Sequence, residues 1–185
     1  MIITVSGITA SGKTTLAKGL ADELNLEFIS GSSKLKALLP VKTFNSWESK
    51  DGMKMIHLRL KNPVFDKKLD LALLRTIRKS DNIVVDSWTI PWLLKSNDNV
   101  LKIYVKAPID VRARRVSVRD NIPYKSALEI TKKKDLLTAG VYKKLYKIDV
   151  AKDLAPFDLV IDSSKLDKDN LRDLCVDFIF KFFKV

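Results

Sequence analysis

Residues 2–25 read IITVSGITASGKTTLAKGLADELN, and this segment passes from an apolar run through a glycine-containing turn into a leucine-patterned run. The β-branched, apolar residues 2–6 are typical of a buried strand. After the turn, leucine recurs every four residues at Leu16, Leu20 and Leu24, which predicts a helix with one apolar face. The turn matches the pattern GxxxxGK(S/T) without a mismatch, so we expect a strand, a phosphate-binding loop and a helix in that order.

A loop of this kind binds the phosphates of a nucleoside triphosphate. Its glycines let backbone N–H groups converge on phosphate oxygens, and the N-terminus of the following helix adds partial positive charge. Lys13 would contact the β- and γ-phosphates, Thr14 would bind Mg²⁺ through its hydroxyl, and Thr15 would contact an outer phosphate. We therefore expect ATP and Mg²⁺ to bind here. The predicted ATP-binding residues are Gly7, Ile8, Thr9, Ala10, Ser11, Gly12, Lys13, Thr14 and Thr15.

The rest of the chain alternates between short apolar runs and longer amphipathic runs, which is typical of a parallel sheet covered by helices on both faces. Four further strands are predicted over residues 26–30, 82–86, 101–106 and 157–162. Helices are predicted over residues 33–39, 51–60, 66–79, 91–96, 108–120, 123–147 and 167–183. We therefore expect an α/β fold of the P-loop NTPase class, a three-layer sandwich with a five-stranded parallel sheet.

Two segments, about 31–80 and about 120–150, are longer than a simple crossover between strands needs to be. We expect both to be helical excursions over the carboxyl edge of the sheet, where ligands of α/β proteins bind. A chain of 185 residues is long enough for one substantial hydrophobic core. Residues 1–185 are therefore predicted to form a single domain that carries both excursions.

The composition excludes several kinds of site. The chain has one cysteine and one histidine, which excludes an internal disulfide and a Cys/His zinc cluster of the usual kind. A Ser-His-Asp or Cys-His arrangement would have to use His57. The sequence contains no run of about 18 apolar residues, so it predicts no membrane span, and the start MIITVSG lacks the pattern of a signal peptide. We therefore expect a soluble, cytoplasmic protein.

The charge balance points to anionic partners. The formal net charge is +12, from 34 lysines and arginines against 22 acidic residues, although lysines that merely solvate the surface give the same total. Four of the eight arginines lie between Arg112 and Arg119, and arginine matches phosphate geometry better than lysine does. A nucleic acid is possible as a partner but is not favoured, because basic and aromatic residues are not interleaved as in single-strand binders.

Several charged residues outside the loop are candidates for chemistry. Asp86 ends the third predicted strand, where it would order the water shell of Mg²⁺ or contact an acceptor hydroxyl, or simply end the strand. Arg112, Arg115 and Arg119 are spaced to share one helix face, as expected for a phosphate clamp or for a solvated basic face. Lys134 belongs to a lysine run that is either a second cationic cluster or plain surface.

The last predicted helix ends in FIFKFFKV, residues 178–185. We expect its phenylalanines to pack on the sheet, with a dimer contact or a membrane-surface contact as the alternatives. Cys175 lies on the apolar stripe of the same helix and is expected in the core, whereas His57 is expected to be a structural residue. The sequence leaves open whether the chain is a monomer or a homodimer.

The chain resembles the archaeal-type cytidylate kinases, a branch of the P-loop nucleoside monophosphate kinases. The segments that carry the resemblance are residues 2–30, NPVFDKKLD (62–70), NIVVD (82–86), KIYVKAPIDVRARRVSVRD (102–120), YKKLYKIDV (142–150) and FDLVIDSS (157–164). The resemblance implies an ATP-binding core, an acceptor-binding segment after the second strand and a helical lid. It implies that Arg115 and Arg119 clamp phosphate at the base of the lid. Together with Lys13, Asp86 and Lys134, they are the candidate catalytic residues.

The departures from the family pattern are concentrated in the acceptor-binding half. Ser33 and Lys36 stand where the family usually has an acidic residue and an arginine, and Trp88 stands where an arginine usually follows the third strand. Asp66 and Asp70 keep the family's positions and are spaced to share a helix face. The resemblance therefore gives Ser33, Lys36, Asp66, Asp70 and Trp88 as candidate acceptor-binding residues.

In the lid, Lys134, Gly140 and Val141 stand at positions that usually hold arginine. Lysine cannot reproduce the bidentate contact that arginine makes with phosphate. We therefore keep three hypotheses. The chain is a kinase for a small-molecule phosphate acceptor such as CMP or dCMP; it is a kinase for a hydroxyl acceptor, a nucleoside or another polar metabolite, with Asp86 as general base; or it is an ATP-dependent RNA-binding factor.

Overall fold

The computed structural model describes residues 1–39, 46–94 and 99–184. Within these ranges, the strands form one parallel sheet in the order β2-β3-β1-β4-β5. The strands are β1 (Ile2–Ser6), β2 (Glu27–Ser30), β3 (Ile83–Asp86), β4 (Val100–Lys106) and β5 (Leu159–Asp162). The prediction of a five-stranded parallel sheet is confirmed.

The helices occupy the segments that the sequence predicts, with ends that differ by one or a few residues. They are α1 (Lys13–Glu23), α2 (Gly31–Leu38), α3 (Lys50–Lys61), α4 (Val64–Ile77), α5 (Ile90–Leu93), α6 (Ile109–Asp120), α7 (Tyr124–Tyr146) and α8 (Lys168–Phe183). Helices α2 and α4 both begin two residues before their predicted starts, and in α2 the Ser30 hydroxyl accepts the N–H of Ser33 at the helix start. Of the helix predicted over 91–96, residues 95 and 96 lie outside the described residues.

Two layers of helices cover the sheet because successive strand residues point to opposite faces. On one face, α1 and α8 pack over alternate residues of the central strands, such as Ile3, Leu101 and Ile103, and Cys175 is buried here as predicted. On the other face, α2 to α5 pack over residues of the opposite parity, such as Ile83. None of the described helices is long and apolar enough to cross a membrane.

The C-terminal helix contributes only part of its aromatic residues to the core. Phe178 and Phe183 pack against the cluster under α1, whereas the side chains of Phe180 and Phe182 are 41% and 37% exposed. Leu174 on the same helix is also exposed. The prediction that the phenylalanines pack on the sheet therefore holds for two of these four residues.

The two long connections lie where ligands are expected. Helices α2, α3 and α4 connect β2 to β3, and α6 and α7 connect β4 to β5. Helix α7 packs against both α6 and α3. The predicted acceptor-binding excursion and the predicted lid are therefore in contact with each other, and they border one cleft at the carboxyl edge of the sheet.

Candidate active site

The phosphate-binding loop has the backbone geometry that its glycines permit. Gly7 has φ 150°, and a Cβ atom there would collide with the carbonyl oxygen of Val105 on the neighbouring strand. Gly12, with φ 101°, precedes α1 and leaves its N-terminus without a side-chain cap. An uncapped helix N-terminus that opens into a cleft is a ready anion site, so this loop fits the phosphates of ATP.

The loop forms one wall of a cleft of about 690 Å³. Six of the nine predicted ATP-binding residues line it, namely Thr9, Ala10, Gly12, Lys13, Thr14 and Thr15, whereas Gly7, Ile8 and Ser11 do not. Among the described residues, the buried hydroxyls of Thr9 in the loop and of Thr138 in α7, which both line the cleft, have no hydrogen-bond partner. Buried polar groups are normally satisfied, so these hydroxyls fit a cleft that takes a polar ligand.

Thr14 and Asp86 meet at the base of the cleft. The Thr14 hydroxyl donates to Asp86 Oδ2 at 2.5 Å. The two residues meet because the loop that carries Thr14 follows β1, and Asp86 ends the neighbouring strand β3. No cluster of three or more His, Cys, Asp or Glu side chains suited to a metal ion occurs among the described residues. Mg²⁺ in kinases needs only one or two protein oxygens, with phosphates and waters completing its shell, so the Thr14–Asp86 pair fits this ion.

All five candidate catalytic residues line the cleft: Lys13, Asp86, Arg115, Arg119 and Lys134. Their surroundings differ. The Lys13 ammonium lies 5.5 Å from the centre of the Trp88 ring, a cation–π distance. The Arg115 guanidinium donates to the carbonyl oxygens of Ala10 and Ser11 and also to Ser163, so it helps to hold the backbone of the phosphate-binding loop in place.

Arg112 does not share the cleft with Arg115 and Arg119, although the three are spaced along one helix. Its guanidinium is buried and donates to the carbonyl oxygen of Thr9 and to Asp135 of α7, at 3.0 and 2.6 Å. The other oxygen of Asp135 accepts the N–H of Thr9 at 3.1 Å. These contacts join the phosphate-binding loop to the lid helix, so Arg112 has a structural role here rather than the phosphate contact that its spacing suggests.

Arg119 and Lys134 meet at a carboxylate that the sequence did not single out. Glu48 Oε1 lies 2.6 Å from Lys134 Nζ, and Oε2 lies 3.0 Å from Arg119 Nη2. The side chain of Glu48 is only 3% exposed. Arg119 also makes a bidentate contact with Asp120 at its own helix end. Lys134, which the sequence left as either a cationic cluster or plain surface, is therefore turned into the cleft.

The candidate acceptor-binding residues divide into two groups. Lys36 and Trp88 line the cleft, whereas Ser33, Asp66 and Asp70 do not. Ser33 is exposed at the start of α2, where its N–H donates to the Ser30 hydroxyl. The two aspartates do share one face of α4, as predicted, but that face is turned to other helices and both residues are buried.

Asp66 and Asp70 hold α4 against its neighbours. Asp66 makes a bidentate pair with Arg59 of α3, whose Nη2 also donates to the Tyr142 hydroxyl of α7. Asp70 accepts from Thr89 at 2.7 Å and from Tyr146 of α7 at 2.8 Å. Burial raises the pKa of Asp70 to about 6, although both hydrogen bonds oppose this shift. The carboxylates that the resemblance assigns to the acceptor thus contact the helices around the cleft.

We expect Asp66→Ala to lower the free energy of unfolding by about 3–5 kcal/mol, because it leaves the buried Arg59 charge without its carboxylate. Chemical denaturation followed by circular dichroism measures this loss. As a control, Asp51→Ala removes the carboxylate of an exposed pair with Lys54 and should cost less than about 1 kcal/mol. A comparably small loss for Asp66→Ala would contradict its structural role.

Several residues of the cleft carry no sequence signal of their own. Arg59 lies 5.0 Å above the Trp47 ring and lines the acceptor side together with Tyr142. Glu48 belongs to a short polar stretch before α3, and nothing in its spacing distinguishes it from a surface residue. These side chains come together only through the packing of α3 on α7, which a single sequence does not reveal.

Comparison with known proteins agrees with this geometry. A model of the cytidylate kinase-like family matches residues 2–165. The cytidylate kinase of Saccharolobus islandicus is 34% identical over 182 residues, which is 97% of this chain and 90% of that protein. The cytidylate kinase of Pyrobaculum islandicum is 33% identical over 183 residues, covering 97% and 92% of the two chains. These matches confirm the resemblance seen in the sequence.

A solved structure shares the fold. An uncharacterized protein from Eubacterium ventriosum superposes with a TM-score of 0.70, covering 97% of this chain and 98% of that one. The sequence identity is 20%, so this likeness concerns the fold alone.

Proposed function

The chain belongs to the cytidylate kinase-like family and is a phosphotransferase of the nucleoside monophosphate kinase type, and from this we propose that it transfers the γ-phosphate of ATP to CMP or dCMP. The observation that carries the proposal is one cleft that is lined together by the phosphate-binding loop, by Arg119 and Lys134 and by the acceptor-side residues. We also propose that the protein acts in the cytoplasm.

The donor half of the cleft would hold ATP with its phosphates over the N-terminus of α1. The N–H groups of the loop would bind the phosphates, and Lys13 would contact the β- and γ-phosphates. Thr14 and Asp86 would hold Mg²⁺, which when bound supplies positive charge to the phosphate oxygens. Arg115 would keep the loop in this shape through its contacts with the carbonyl oxygens of Ala10 and Ser11.

Two cations, Arg119 and Lys134, would stabilise the negative charge that develops on the phosphate oxygens during transfer. Phosphoryl transfer spreads charge over the oxygens of the moving group, so catalysis depends on positioned cations more than on acid–base chemistry. Arg119 and Lys134 come from two different helices, and both line the cleft. The phosphate of a nucleoside monophosphate is already an anion, so this acceptor needs no general base.

The acceptor half of the cleft is lined by aromatic and polar residues of α2, α3 and α7 and of the segments before α3 and after β3. They include Ser32, Lys36, Trp47, Arg59, Trp88 and Tyr142. Flat rings suit a nucleobase, and Lys36 would take part of the role that the family gives to arginine. At the lid positions 140 and 141 an arginine would require its neighbours to shift, because Val141 is fully buried and a Cβ at Gly140 would lie 3.2 Å from the Leu60 side chain.

A hydroxyl acceptor is the second candidate, because Trp88 stands where the resemblance implies a phosphate-binding arginine. In that case Asp86 would act as general base. Its Oδ2, however, already accepts the hydroxyl of Thr14, which suits a metal-binding role better than proton abstraction. The first candidate therefore explains the position of Asp86 with fewer changes.

The test is a panel of acceptors with ATP and Mg²⁺, read out as ADP release and product mass. The panel holds CMP, dCMP, UMP, AMP and GMP, followed by cytidine and deoxycytidine. We expect kcat/KM with CMP or dCMP to exceed that with the nucleosides by about 100-fold or more, because each hydrogen bond to a charged phosphate contributes about 1.5–3 kcal/mol. Turnover on the nucleosides, with none on the monophosphates, would contradict the proposal.

A further inference from the structure

Glu48 is a buried carboxylate at the centre of the proposed site to which neither the resemblance nor the sequence assigns a role. It lies in the turn before α3, on the acceptor side of the cleft, and 6% of the residue is exposed. Each of its oxygens contacts a cation from a different helix, Arg119 at the end of α6 and Lys134 in the middle of α7. Glu48 therefore joins the acceptor-binding segment, the lid base and the lid helix.

The charges around Lys134 make this contact consequential. Three charged groups surround Lys134: Glu48 in the turn before α3, Arg119 of α6 and Lys13 of α1. Arg119 is itself paired with Asp120. Burial lowers the pKa of Lys134, Glu48 opposes this shift, and the two cations add to it, so that the resulting pKa is about 8. Burial also acts to raise the pKa of Glu48, but Lys134 and Arg119 outweigh it and bring that pKa to about 2.

We propose that Glu48 is a positioning residue for phosphoryl transfer, which keeps Lys134 protonated and holds Lys134 and Arg119 facing the transferred phosphate. The inference rests on the proposed function in that these two cations are taken to bind phosphate. Glu48 need not touch the substrate. An ammonium has three N–H donors and the contact with Glu48 uses one of them, so the others remain for phosphate oxygens.

The geometry suits positioning better than a chance surface contact. An exposed ion pair contributes little, because water screens it and the side chains lose freedom. Here the carboxylate and the lysine are 3% and 14% exposed, and the contact bridges elements that are far apart in sequence. A substrate that displaces the α3 side of the cleft would move Glu48, and with it both cations.

The test uses Glu48→Gln and Glu48→Asp in the full chain without ligands. The first variant removes the charge and nearly keeps the shape; the second keeps the charge and shortens the side chain. The rate at which the Lys134 amine is acetylated is measured against pH by mass spectrometry. We expect the midpoint in Glu48→Gln to move to lower pH by about one pH unit or more. In Glu48→Asp it should stay nearer to that of the unmodified protein.

Kinetics give a second measurement. In Glu48→Gln we expect kcat with CMP to fall on the order of 10- to 100-fold, with the fall growing between pH 7 and 9 and with a smaller change in KM for ATP. The matched control is Asp51→Asn, which also removes one negative charge. Asp51 lies three residues after Glu48 and forms an exposed pair with Lys54. This variant should leave both the amine titration and kcat unchanged.

Distinct outcomes separate this inference from the proposed function. If Glu48→Gln folds and its Lys134 titration matches that of the unmodified protein, the inference is wrong whatever the activity. If Glu48→Gln does not fold, kcat in Glu48→Asp decides, because this variant shortens the side chain that holds both cations; an unchanged kcat there overturns the inference. If no monophosphate is phosphorylated but the Lys134 titration shifts as expected, the proposed function fails and the effect of Glu48 on Lys134 stands.

Discussion

Lys13→Met is expected to reduce kcat on the order of 10³- to 10⁵-fold while the protein remains folded. The reason is that Lys13 provides the cation expected to contact the β- and γ-phosphates, and a cation facing the transferred phosphoryl group has an effect of this size in other phosphotransferases. Lys13 lines the cleft at the first turn of α1, and its ammonium faces the Trp88 ring. Steady-state kinetics with ATP and CMP measure the loss.

The control for this substitution is Lys18→Met on the same helix. Lys18 is exposed and its ammonium lies over the Phe28 ring, away from the cleft. The Lys18→Met variant should retain the full kcat, and both variants should unfold at temperatures close to that of the unmodified protein. A Lys13→Met variant with more than about a tenth of the original kcat would remove Lys13 from the catalytic assignment.

Asp86→Asn is expected to reduce kcat on the order of 100-fold and to raise the Mg²⁺ concentration needed for half-maximal activity. Asp86 is buried and accepts the hydroxyl of Thr14, the residue expected to bind Mg²⁺. An asparagine keeps the shape and one acceptor but loses the charge that favours a divalent cation. Rates measured over a wide range of Mg²⁺ concentration, with CMP as acceptor, test this expectation.

The response to Mg²⁺ distinguishes the two roles of Asp86. If excess Mg²⁺ restores much of the rate, Asp86 acts through the metal. If the rate stays low at every Mg²⁺ concentration and the enzyme phosphorylates a hydroxyl, Asp86 acts as a general base. As a control, Asp81→Asn changes an exposed aspartate before the other end of the same strand and should have no effect on either quantity.

The donor half of the site could be predicted from the sequence because its determinants are local. A run of nine residues from Gly7 to Thr15 contains both the turn and the first helical residues. Asp86 could be placed beside this loop because parallel strands end at the same edge of the sheet, and β3 is the neighbour of β1. In both cases the spacing along the chain fixes the position in space.

The acceptor half could not be predicted in the same way because its contacts join distant segments. Asp66 and Asp70 share a helix face as expected, but which face α4 presents to the cleft depends on how α3 and α7 pack around it. Glu48 and Lys134 are 86 residues apart, and no pattern in either segment announces their contact. The site residues therefore remain predictions where they depend on packing, and substitutions are the way to test them.

The most direct test of the account uses ATP labelled with ¹⁸O in its γ-phosphoryl group, incubated with the protein, Mg²⁺ and CMP, with products identified by mass spectrometry. The account predicts that the label appears in the terminal phosphoryl group of CDP. Label recovered only as inorganic phosphate, with none in CDP, would contradict the claim that this cleft phosphorylates a nucleoside monophosphate.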